Sequence, residues 1–133
     1  MTKERYKISA GAVYNVNYHV VWCPKYRKAV LIDNVAKDLD ALIRQKAEEI
    51  GISIEAMEIM PDHIHMFVSS KPTIPIHHIV RQLKGFTSHE LRNKYDHLRT
   101  KLPTLWSRSY YVGTVGFVSE TVVKNYIANQ KGK

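Results

Sequence analysis

Two strand-patterned runs, Ile52–Met60 and His63–Ser69, are separated by nothing more than Pro61-Asp62. A break of that length and composition is a turn signal, so the runs pair as an antiparallel hairpin. Helical spacing lies on either side of it. Upstream, Val35, Leu39, Leu42, Ile43, Ala47 and Ile50 recur every three or four residues, with Asp33 or Asn34 as N-cap and Gly51 as C-cap. Downstream, Ile76 to about Tyr95 repeats the pattern through Ile79, Val80, Leu83, Phe86 and Leu91, with Gly85 a weak point. Val13–Cys23 and Ser109–Val115 supply the outer strands, rich in β-branched and aromatic residues. The order β-α-β-β-α-β predicts a mixed α/β (α+β) fold, a ferredoxin-like split β-α-β antiparallel sheet. Residues 96–107, with Pro103, read as irregular, and a last short helix starts from Ser119 and carries Tyr126. Within Ile52–Met60, simple alternation sets Ile54, Ala56 and Glu58 against Glu55, Met57 and Ile59.

The chain has 133 residues, which predicts one domain, 1–133. A single cysteine, Cys23, excludes an intramolecular disulfide and fits a reducing cytoplasm. No apolar run approaches a membrane span, and the charged N-terminus lacks the apolar stretch of a signal peptide. The net charge is +8 and unevenly spread. Residues 31–62 hold three basic and eight acidic side chains, whereas residues 71–108 hold eight basic and two acidic ones. A surface polarised this way suits a polyanion, although a solvated helix face has the same composition.

His63-Ile64-His65 is the most informative tripeptide. On a strand, alternate residues share a face, so the two imidazoles stand about 7 Å apart at Cα and converge on one ion. Ile64, Met66 and Val68 then face the core. Two imidazoles alone leave a metal site incomplete. Tyr126 and Gln130 lie four apart on the last helix and share a face, a pattern equally open to a helix-edge tyrosine and a solvated glutamine.

Together, MPDHIHMF, YHVVWCPKYRK, LPTLWSRSYYVGTVG and VVKNYIANQ resemble the small single-tyrosine transposases of bacterial and archaeal insertion sequences. That family belongs to the HUH nucleases, named for two histidines around a bulky apolar residue. The resemblance runs from about Tyr14 to Gln130. It implies that His63 and His65 bind a divalent metal, that Gln130 is the third ligand, and that Tyr126 is the nucleophile. It further implies cleavage of single-stranded DNA with hairpin ends through a 5′-phosphotyrosine intermediate, without a nucleotide cofactor. The implied assembly is a homodimer, with the helix at about 119–130 swapped onto a partner subunit; Gly113 and Gly116 before that helix are candidate hinges, although Gly116 reads more simply as an ordinary turn glycine. Mg²⁺ is the expected cofactor and Mn²⁺, which accepts imidazole more readily, its substitute.

Arg81, Lys84 and Arg92 on the second long helix are candidate phosphate contacts, with Lys25 and Arg27 as further candidates. Trp22 is expected in the core, as is Trp106 ahead of stacking on a base, and Asp62 is expected as a turn residue ahead of hydrogen bonding to the histidine pair. Two other readings share these features. A host-recruited nuclease processing repeated palindromes would use the same residues. A non-catalytic module binding single-stranded nucleic acid would not need Tyr126, and the aromatic pattern of sheet-based RNA binders is missing from HIHMFVS.

Overall fold

The computed structural model describes residues 7–9, 12–14, 16–114 and 120–132. A two-stranded ribbon, β1 (Lys7–Ser9) and β2 (Ala12–Tyr14), precedes β3 (Val16–Trp22). Then follow α1 (Asp33–Ile50), β4 (Ser53–Met60), β5 (His63–Ser70), α2 (Ile76–Lys94), α3 (Asp96–Thr100), β6 (Tyr111–Thr114) and α4 (Glu120–Asn129). The main sheet has the order β4-β5-β3-β6, antiparallel throughout. This is the expected split β-α-β arrangement, with the hairpin on one side and β3 inside the sheet.

The core lies between one sheet face and the two long helices. Val20, Trp22, Ile64, Met66 and Val68 point into it from β3 and β5. Val35, Leu39, Ile43 and Ala47 meet them from α1, and Ile79, Val80, Leu83 and Leu91 from α2. Trp22 and Trp106 meet edge to face with centroids 5.7 Å apart. The Trp106 indole N–H, buried in this packing, donates to Thr87 Oγ1 at 3.0 Å.

Several local expectations need correction. The run from Val13 to Cys23 is two strands, not one: β2 pairs with β1, and only β3 enters the main sheet. The first helix begins at Asp33 with Ile32 as its cap residue, and no side chain closes that end. Asp33 takes φ +52°, so it turns the chain into the helix through its backbone rather than capping through its carboxylate. Gly51 is the expected C-cap, at φ +79°. In β4 the simple alternation fails. The register to β5 shifts between Ile54 and Ala56, so Glu55 is an extra residue. Such a bulge reverses the phase of the strand beyond it. Ile54, Met57 and Ile59 therefore all pack on the core, while Ala56 and Glu58 are exposed. Part of the segment expected to be irregular forms α3, whose Leu98 is fully buried. Ser119, Gly116 and Val115 lie outside the described residues. Among the described residues, no helix is long and apolar enough to cross a membrane.

Thr87→Val keeps the shape of the side chain but removes the acceptor of the buried Trp106 N–H. The expected cost is about 1–3 kcal/mol, the usual penalty for an orphaned buried donor. Urea unfolding of the two proteins side by side measures it, and an unchanged midpoint would show that this bond contributes nothing.

Candidate active site

The sheet face opposite the core carries the chemistry. β5 alternates from His63 to Val68, so Ile64, Met66 and Val68 are buried while His63, His65 and Phe67 are half-exposed on the other side. Strand pairing then sets a row across this face. Glu58 is opposite His65, His65 is opposite Val21, and Val21 is opposite Tyr111. The Tyr126 ring lies beside Tyr111, with centroids 6.2 Å apart. His65 and the Tyr111 position are thus two strand spacings apart, about 10 Å.

The four residues singled out in the sequence fall into two groups on that face. In the first, His63 Nδ1 is 2.9 Å from Asp62 Oδ1. A carboxylate only accepts, so His63 donates from Nδ1 and its Nε2 lone pair is left free. His65 Nε2 lies 3.2 Å from His19 Nδ1, so one imidazole donates to the other. Burial pulls the pKa of both His65 and His19 below the usual histidine value. The adjacent His19 pushes His65 the same way, Glu58 opposes it, and His63 adds a smaller push downward. A neutral imidazole is the form that ligates a cation.

In the second group, Ser109 holds Tyr126 on α4 and Gln130, which lies in the turn just past that helix rather than on it as its spacing suggested. Its Oγ is 2.8 Å from Gln130 Oε1 and 2.9 Å from the Tyr126 hydroxyl. The amide oxygen only accepts, so the one serine proton goes to Gln130, and the phenol donates to Ser109. Ser107 Oγ donates to the same Gln130 oxygen at 3.5 Å. Gln130 is buried, far from the solvated residue that spacing alone allows. Burial pushes the Tyr126 pKa above the ordinary tyrosine value. Cys23 is fully buried nearby, its thiol pushed up to about 11 chiefly by burial.

Lys84 supports this second group from below. Its ammonium donates to the carbonyls of Ser107 at 2.6 Å and Ser109 at 3.2 Å, and burial pulls its pKa down to about 8. It fixes the backbone of the two serines that hold Gln130. Arg92 also turns inward, donating to the carbonyls of Leu98, Arg99 and Leu102 and closing the turn after α3. Arg27 pairs with Asp62 and reaches the Ile127 carbonyl. Lys25 lies over the Tyr26 ring, 5.3 Å from its centroid. Arg81 is exposed, and with His77, Trp106, Arg108 and Tyr110 it lines a cavity of about 460 Å³ beside α2. Of the basic candidates on α2, Arg81 is exposed, whereas Lys84 and Arg92 are half-buried.

Sequence reasoning missed His19, Ser107 and Ser109. His19 was recoverable, because the alternation that buries Val20 and Trp22 sets it on the face of His65. The serines carried no signal, since only the folded loop brings them under α4.

Comparison with known proteins agrees with this geometry. The family model described as Transposase IS200 like matches residues 12–130. The ISDra2 transposase TnpA of Deinococcus radiodurans is 36% identical over 129 residues, covering 96% of this chain and 92% of the relative. The transposase for insertion sequence element IS200 of Salmonella typhimurium is 30% identical over 126 residues, covering 93% and 82%. The solved structure of a transposase-like protein from Deinococcus radiodurans R1 superposes with a TM-score of 0.89 at 34% identity, over 96% of this chain and 99% of that one. A REP-associated tyrosine transposase bound to a REP hairpin shares the fold alone, with a TM-score of 0.57 at 12% identity over 90% of this chain and 68% of that one.

The His19–His65 pair has a consequence for stability. Both pKa values are lowered on folding, so near the ordinary value of about 6.5 the unfolded chain binds more protons than the native one. Stability therefore falls as pH drops below about 6.5. Urea midpoints between pH 7.5 and 5.5 (about one unit either side of that value) are expected to fall more steeply for wild type than for His19→Gln. Parallel pH dependences would contradict this assignment.

Proposed function

The chain belongs to the IS200-like transposase family, and on that premise we propose that it cuts and rejoins single-stranded DNA at hairpin-bearing element ends, with Tyr126 as nucleophile. One observation carries the reading. The imidazoles of His63 and His65 share a sheet face with the helix that bears Tyr126 and ends just before Gln130, linked by the row His65–Val21–Tyr111.

The donor set fits a divalent cation. His63 has a free ring nitrogen, His65 is held neutral, and Gln130 offers an amide oxygen now engaged by two serine hydroxyls. All three donors are uncharged, so a cation bound there keeps its charge for a phosphate. Such a cation, Mg²⁺ or Mn²⁺ in its place, would supply Lewis-acid polarisation of the scissile phosphodiester. The protein's own part is to position and deliver the phenol. Tyr126 gives up its proton and its oxygen bonds to phosphorus. The bond to the 3′ oxygen breaks, leaving a free 3′-OH and a 5′-phosphotyrosine. Because a phosphodiester replaces a phosphodiester, the link retains its energy, and a second 3′-OH reverses the step without a nucleotide cofactor.

Ser109 must release both groups for this chemistry. The Tyr126 hydroxyl and the Gln130 amide oxygen point to it rather than to the imidazoles. A shift of α4 across one or two strand spacings (about 5–10 Å) brings them together, supplied by this chain's own helix or by that of a second copy in a homodimer. The overall basic charge favours the DNA partner electrostatically.

Tyr126→Phe is expected to abolish the covalent protein–DNA adduct on labelled single-stranded oligonucleotides with Mg²⁺ or Mn²⁺, while binding persists. An adduct formed by the variant would overturn the assignment. Among the basic residues, Arg81→Ala is expected to lower the dependence of log affinity on log salt by about one. Lys84→Met is expected to leave that slope unchanged and to lower stability and adduct yield instead, because its ammonium serves the Ser107 and Ser109 carbonyls.

A further inference from the structure

Arg27 stands between the two groups of the site. Its Nε is 3.2 Å from Asp62 Oδ2. Its Nη1 donates to the Ile127 carbonyl at 3.3 Å. The other oxygen of Asp62 accepts from His63 Nδ1 at 2.9 Å. The Ile127 carbonyl also accepts the backbone N–H of Gln130 at 3.1 Å. One unbroken chain of polar contacts thus runs from His63 through Asp62 and Arg27 to the Ile127 carbonyl, one residue beyond Tyr126, in the turn that places Gln130.

The local backbone is shaped for this reach. Tyr26 (φ +60°, ψ +16°) and Arg27 (φ +52°) both occupy the left-handed region, which residues with a β-carbon rarely enter. The conformation is held by Arg27 N–H to the Pro24 carbonyl at 2.8 Å and by Lys25 N–H to the Leu105 carbonyl at 2.8 Å. The second bond ties the turn to the segment leading into Ser107. Backbone strain of this kind persists where the surroundings impose it, and here it directs one guanidinium at two acceptors on different elements. The charge also suits its place, since the last carbonyls of a helix form the negative end of its dipole. A planar fork serves two divergent acceptors at once, which a single ammonium cannot do in the same way.

We propose that Arg27 is a positioning residue that couples the imidazole pair to the nucleophile helix. It holds the Asp62 carboxylate against His63, which fixes the ring tautomer and leaves Nε2 as the free donor. With its other nitrogen it grips the end of α4, so that the order of the His63 turn and the placement of Tyr126 and Gln130 depend on each other. The proposal rests on the reading of His63, Tyr126 and Gln130 given above. It differs from a phosphate-contact role for Arg27, because both of its identified acceptors are protein groups.

The test uses Arg27→Ala, Arg27→Lys, Asp62→Asn and the double variant Arg27→Ala/Asp62→Asn in the full chain. Hydrogen exchange of the amides at 127–131 is read without metal or DNA. Mn²⁺ binding is read by titration calorimetry without DNA. Arg27→Ala is expected to speed exchange at the end of α4 and to weaken Mn²⁺ binding about tenfold, the usual scale for losing support of a ligating histidine. Asp62→Asn, although remote from α4, is expected to speed the same amides. In the Arg27→Ala background that effect of Asp62→Asn should vanish, as members of one relay are not additive. Arg27→Lys keeps the charge yet should still loosen α4. Wild-type exchange and Mn²⁺ affinity in Arg27→Ala would overturn the proposal. So would an Asp62→Asn effect that adds in full to that of Arg27→Ala, or an Arg27→Ala effect confined to the salt dependence of DNA binding. An adduct from Tyr126→Phe would sink the cleavage reading alone, because neither exchange nor Mn²⁺ binding depends on cleavage.

Discussion

The alternation of β5 is the constraint on which the rest of the molecule depends. One eight-residue strand supplies Ile64, Met66 and Val68 to the core and His63 and His65 to the opposite face. The two roles cannot be separated, because a slip of one residue would bury the imidazoles and expose the isoleucine. β5 is paired on both sides, by β4 and by β3, which pins its register twice. Burial of the apolar half thereby fixes the polar half in space. The geometry of the histidine pair is secured by hydrophobic packing behind it, before any polar contact in front of it.

The opposite group is held by different means. Tyr126 and Gln130 sit over the sheet through hydroxyls on the 107–109 segment, and that segment is anchored by a half-buried lysine. Hydrogen bonds of this sort contribute little net stability each but are specific in direction. A packed strand on one side and a hydrogen-bonded helix on the other make an uneven pair. The imidazoles are fixed, while Tyr126 is attached by contacts that can be exchanged. That inequality suits a reaction in which one partner must move and the other must stay.

Most of the architecture was legible because it follows from period and punctuation. The short Pro61-Asp62 break, the Gly51 cap and the spacing of Val35, Leu39 and Ile43 each have a direct physical reading, and each appears in the fold. The failures have equally direct causes. Nothing in the residues around Glu55 announces a bulge, so the faces of β4 were assigned with the wrong phase beyond it. The α2 basic residues share helical spacing, yet Arg81 meets solvent whereas Lys84 and Arg92 turn to carbonyls on distant segments. A charge count cannot tell these apart, since the difference is made by loops that join late in the sequence. The histidine pair and the Tyr126–Gln130 spacing were visible, but Ser109, which joins the last two, sits 17 and 21 residues away from them.

Cys23 gives the fold a chemical selectivity of its own. It follows directly on β3, close enough to Tyr126 to add to the effect of burial on the phenol's pKa, and a thiolate is a stronger nucleophile than a phenol. Complete burial and the nearby Asp62 carboxylate raise its pKa to about 11, outweighing the opposing pull of Arg27 and Lys84. The sulfur therefore stays protonated and out of reach of solvent, and oxidants and electrophiles that need a thiolate find none. The chain thus keeps its one sulfhydryl as an inert packing group. Redox tone in its surroundings therefore has no handle on this sulfur.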